Sequence, residues 1–161
     1  YASPAFTQRQ RGYAASWSAR SVYTPEFVYK GREWRPGAAP PKITTPGILI
    51  VQRHPDGGGT VSFKPTATPP ATGYEASVAL LGGDVSVKVR SGENAGRTLA
   101  HDFIALHVDV LRLVPGSDGT FTGSFPSPPS RLPDALKHAL AVWVSLPGNP
   151  APLQAAGGWL P

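Results

Sequence analysis

Asp102-Phe103-Ile104-Ala105-Leu106-His107-Val108-Asp109-Val110-Leu111-Arg112-Leu113-Val114 is the longest apolar run in the chain. Ile104, Leu106, Val108 and Val110 recur at every second position, with His107 and Asp109 in the alternate places. A period of two is the spacing of side chains on one face of a strand, so the run predicts a long strand with one apolar and one polar face. Asp84-Val85-Ser86-Val87-Lys88-Val89-Arg90 repeats the alternation with three valines against four polar residues. One buried face and one wet face is the mark of an antiparallel sheet.

On either side of this run the pattern returns in shorter pieces. Residues 48–53 and 60–64 flank Pro55-Asp56-Gly57-Gly58-Gly59 and read as a hairpin. A phosphate-binding loop would need Gly-Lys-Ser or Gly-Lys-Thr after the glycines, and Thr60-Val61 does not supply it. Residues 74–80, 120–125, 139–146 and 153–159 are further candidate strands, with a helical turn over 134–138 and Gly/Pro-rich turns elsewhere. About seven strands so punctuated predict a mainly β protein, an antiparallel β-sandwich-like domain.

The N-terminal stretch differs. Ser3-Pro4 fits an N-cap followed by proline at the first helical position, where its missing N–H costs nothing. Phe6, Tyr13 and Trp17 then form one stripe of a helix ending at about Ser16, with Gln8, Arg9, Gln10 and Arg11 to the sides and outside. From Trp34 to Pro41 the proline density forbids helix or central strand, which reads as a linker, and Pro36 to Pro46 leaves no room for a helix of useful length.

Composition narrows the function classes. The 161 residues include 18 Gly and 19 Pro, but 40% are hydrophobic, which favours a folded chain over a low-complexity one. The +5 net charge sits wholly in residues 1–42, where seven cations face two acids; the remainder is balanced. Cations scattered through a helix and a hairpin form a solvated face, so nucleic acid is not an expected partner. There is no cysteine, so this polypeptide alone cannot supply the thiolates of disulfide exchange. No apolar run is long enough for a transmembrane helix.

Catalytic signals are absent. His54, His101, His107 and His138 lack metal-ligand spacing, no cofactor motif is present, and no Gly-x-Ser-x-Gly elbow supports a hydrolase. Trp143 and Trp159 read as core or sandwich-edge aromatics. Gly92-Glu93-Asn94-Ala95-Gly96-Arg97 is rich in turn residues. Its ionisable groups, with Asn94 and the nearby His101, leave two readings open: an Arg97–carboxylate pair bracing the loop, or a ligand or partner site at Glu93, Asn94, Arg97 and His101.

Three blocks carry a family resemblance: Tyr1-Ala2-Ser3-Pro4-Ala5-Phe6-Thr7-Gln8-Arg9-Gln10-Arg11-Gly12-Tyr13-Ala14, Val22-Tyr23-Thr24-Pro25 with Gly31-Arg32, and Gly92 to His101. In this order they resemble an exported bacterial thioredoxin-like family of unknown function (domain of unknown function 1223), whose members join a thioredoxin-like domain to a β-rich one. The resemblance implies a cis-proline loop at Thr24-Pro25 that docks a substrate backbone, followed by a hairpin turning at Gly31. It divides the chain into a partial thioredoxin-like α/β domain (1–37), a linker (38–47) and a β-sandwich-like domain (48–161). By the same comparison the chain is expected to begin inside the thioredoxin-like half, with the Cys-x-x-Cys segment outside it, and to act in the periplasm or as a secreted protein. Two functions stay open. One is a portion of an exported thiol/disulfide-related protein whose redox cysteines lie outside this chain, on an N-terminal part or on a separate polypeptide that completes the thioredoxin-like half, with Pro25 shaping its substrate groove. The other is a non-catalytic protein-binding or accessory subunit using the sandwich.

Overall fold

The computed structural model describes residues 4–23, 26–38, 45–130, 132 and 135–161. Helix α1 spans Pro4–Ser16, and a short hairpin follows with strands β1 (Val28–Tyr29) and β2 (Arg32–Glu33). Lys30 and Gly31 both have positive φ, the backbone that lets a two-residue turn match the twist of its strands.

The remaining strands are β3 (Gly47–Arg53), β4 (Gly59–Pro65), β5 (Glu75–Gly83), β6 (Val85–Lys88), β7 (Thr98–His101), β8 (Ile104–Arg112), β9 (Val114–Pro115), β10 (Phe121–Phe125), β11 (Lys137–Ser145) and β12 (Pro152–Trp159). They form two antiparallel four-stranded sheets, ordered β3-β4-β10-β9 and β12-β11-β5-β8, plus a separate β6-β7 hairpin. The mainly β, antiparallel expectation holds.

The core lies between the two large sheets. Alternation sends Val61 and Phe63 of β4 and Phe121 and Phe125 of β10 inward from one sheet. Ala76 and Val78 of β5 and Val142 and Val144 of β11 meet them from the other. Tyr74 stands edge-on to Phe63 and Phe121, with ring centroids 5.1 and 4.8 Å apart. Gly123 lies between the two phenylalanines of β10 because a Cβ there would reach Leu111 Cδ1 at 2.6 Å. At the corner, buried Leu113 donates its N–H to Tyr74 O (3.0 Å), and the chain passes from β8 in one sheet to β9 in the other.

Several elements depart from the sequence reading. The run over 102–114 does form a long strand, but its apolar residues do not share a face. Leu80 pairs with His107 and Leu81 with Ala105, so Leu106 is an extra, bulged residue. Leu106 is buried near Gly82, while Val108 and Val110 lie on the sheet's outer face, aligned with Ala79 and Ser77. His107 and Asp109 share the inner face with Val78 and Leu80. The alternating run at 84–90 supplies only β6, whose partner β7 is a strand where only turns were expected. Lys137 and His138 belong to β11 rather than to a helical turn, since β5 offers them a ladder at Gly83 and Gly82. The proline-rich stretch at 39–44 lies outside the described residues.

Candidate functional site

The two sequence-derived sites fare differently. Thr24 and Pro25 lie outside the described residues. Their neighbours Val22, Tyr23, Phe27 and Val28 are all exposed, which is unusual for four large side chains so close in sequence. Tyr23 Oη donates to Glu33 Oε1 at 2.5 Å, and this bond to an acceptor carboxylate raises the phenol's pKa.

The second site is the tip of the β6-β7 hairpin. Gly92 and Gly96 adopt positive φ, and bonds Ala95 N–H to Gly92 O (3.0 Å) and Gly96 N–H to Val89 O (2.9 Å) close the turn. Asn94 and Arg97 are brought together, Arg97 Nη1 donating to Asn94 Oδ1 at 3.4 Å. Glu93 is exposed and forms no ion pair with Arg97 among the described residues. His101 stands apart on β7, opposite Val85.

The structure assembles a further region that sequence reading did not find. Helix α1 sits against the outer face of the β12-β11-β5-β8 sheet. Tyr13 Oη donates to Pro150 O (2.9 Å) in the β11-β12 turn and accepts from Arg9 Nη2 (3.1 Å). The Arg9 guanidinium stacks 4.6 Å from the Trp143 ring centre, a cation–π contact, rather than pointing to the outside. Trp17 Nε1 donates to Gly31 O (2.7 Å), tying helix to hairpin. Gly31 in turn lies so close to Ala151 that an added Cβ would meet its Cα at 2.5 Å. The signal for this docking was present as the Phe6, Tyr13, Trp17 stripe, but nothing in sequence pointed from it to Pro150 and Trp143.

Between α1 and the sheet runs a groove of about 400 Å³, walled by Phe6, Gln8 and Arg9 on the helix and by Glu75, Val108 and Val110 on the sheet. A smaller cavity of about 30 Å³ opens inside one end of the sandwich, where His107 Nε2 meets Asp109 Oδ1 at 3.1 Å beside Arg53. Two residues apart on a strand share a face, so this pair was legible as His107-x-Asp109 once the strand was assigned. Trp143 Nε1 is buried with no hydrogen-bond partner among the described residues. No group of three or more metal-ligating side chains occurs among the described residues.

The family model for Protein of unknown function (DUF1223) matches residues 1–145. The chain belongs to this family. The DUF1223 match covers the helix, both hairpins and all of the sandwich but its last strand, β12. No curated protein and no solved structure matches the chain. No described helix is long and apolar enough to cross a membrane.

Proposed function

We propose that this chain is a non-catalytic, protein-binding accessory part of an exported thioredoxin-like protein, and that its N-terminal hairpin receives a strand from a separate polypeptide. The observation that carries the reading is the hairpin itself. Its sheet has only β1 and β2 among the described residues, with Val22, Tyr23, Phe27 and Val28 exposed beside it. An isolated two-stranded ribbon is marginal in water, and an incoming strand both completes the ladder and covers the apolar side chains. The cations of residues 1–42 favour a partner with an acidic rim. Docking of α1 through Tyr13 and Trp17 gives the sandwich the role of a rigid mount.

In the redox form of this proposal the cysteines lie on the completing polypeptide, and Thr24-Pro25 shapes the groove where a substrate backbone docks. The periplasmic or secreted setting, the division at 37 and 48, and a partner role for Glu93, Asn94, Arg97 and His101 belong to the same proposal. The test is peptide mass spectrometry on natively purified protein, with and without reductant and thiol alkylation, followed by hydrogen exchange of the complex. A second polypeptide with a reductant-dependent Cys-x-x-Cys peptide, together with slowed exchange at Val28 to Glu33, is the expected result. A cysteine-free preparation ends the redox form, and unchanged exchange at the hairpin in any complex ends the strand-addition form.

A further inference from the structure

The groove between α1 and the sheet has a charge pattern that the accessory role does not use. Arg9 and Glu75 line it together, yet form no ion pair with each other. Glu75 has no side-chain partner among the described residues, and Arg9 spends one nitrogen on Tyr13 while its fork keeps other donors. The rest of the lining includes apolar side chains, Val108 and Val110 on the sheet and Phe6 on the helix. Val110 is 60% exposed, so this lining is open to a ligand. At about 400 Å³ the volume falls in the range of small-molecule sites, which pair an apolar lining with a few placed polar groups. Gly12 also borders the groove with nothing within 4 Å of where its Cβ would be.

We infer that this groove binds a short apolar peptide in its zwitterionic form, with the carboxylate at Arg9, the ammonium at Glu75 and the aliphatic side chains on Val108 and Val110. A carboxylate matches the guanidinium fork, and an ammonium matches the acceptor-only carboxylate of Glu75. A ligand with one charge leaves the opposite groove charge unanswered, and a purely polar ligand leaves the valines wet. Free dipeptides and the two ends of a cleaved segment share this chemistry.

The test is calorimetric titration of the full chain with Leu-Leu, N-acetyl-Leu-Leu and Leu-Leu-amide. Saturable binding of Leu-Leu is expected, weakened about tenfold by capping either end, because each cap removes one charge-assisted contact. Glu75→Gln, at a site without side-chain partners among the described residues, is expected to erase the effect of N-acetylation while the effect of amidation persists. Gly12→Leu, placed where the groove has room, is expected to block binding without unfolding the chain. The inference is overturned if Leu-Leu shows no saturation at about 10 mM, if capped and free peptides bind alike, or if Gly-Gly binds as well as Leu-Leu.

Discussion

Phe63 concentrates the packing of the sandwich in one side chain. It is 1% exposed, touches Tyr74 edge-on and faces the valines of the opposite sheet. Truncation to alanine leaves a cavity between two sheets that cannot both collapse, so Phe63→Ala is expected to lower the unfolding free energy by about 3–5 kcal/mol in denaturant titration. Tyr74 adds a pH dependence. Burial disfavours its phenolate and raises its pKa above the ordinary value of 10.0. A raised folded-state pKa means that the stabilisation is complete below the unfolded value and is lost as pH rises through the folded one. Tyr74→Phe is therefore expected to flatten the alkaline decline in stability above about pH 10; an unchanged alkaline slope in the variant would remove Tyr74 as its source.

Among the elements, β8 shows what sequence reading can and cannot reach. Its existence and length follow from apolar alternation, as do β4, β10 and the Asp56-Gly57 hairpin, whose Asp56 Oδ1 accepts the Gly58 N–H at 3.0 Å. Which way its side chains face does not follow, because a single bulged residue reverses inward and outward for everything beyond it. The bulge at Leu106 is set by pairing with Leu80 and Leu81, residues remote in sequence. Deleting Leu106 closes the ladder with every other residue on its present face, so the expected destabilisation, about 2–5 kcal/mol, comes from losing its buried side chain beside Gly82. Thermal unfolding of the deletion variant measures this, while the histidine resonances are expected to report an unchanged His107–Asp109 contact. The short β7 and β9 were not legible at all, since four and two residues of mixed polarity carry no period.

Across the whole molecule, the helix and the hairpin reach the sandwich through a few polar contacts and aromatic stacking. Tyr13→Phe removes the bond to Pro150 O and the acceptor for Arg9. It is expected to cost about 1 kcal/mol and to speed amide exchange in α1 while β5 and β11 exchange at their original rates. Equal acceleration throughout would mean that helix and sandwich open as one unit. The candidate groove was invisible in sequence for a related reason. Arg9, Glu75 and Val110 are far apart in the chain, and only the docking of α1 places them on one surface.

The order β12-β11-β5-β8 also governs how the protein can be made. Strand β5 leaves the ribosome well before β11, with which it pairs over nine residues from Glu75 to Gly83. Until β11 emerges, β5 has only β8 beside it, and an apolar strand is left with an open flank next to whatever other nascent chains are near. Premature termination before Lys137 thus yields a polypeptide with most of its sequence and half of its central pairing, a natural client for chaperones that shield strand edges.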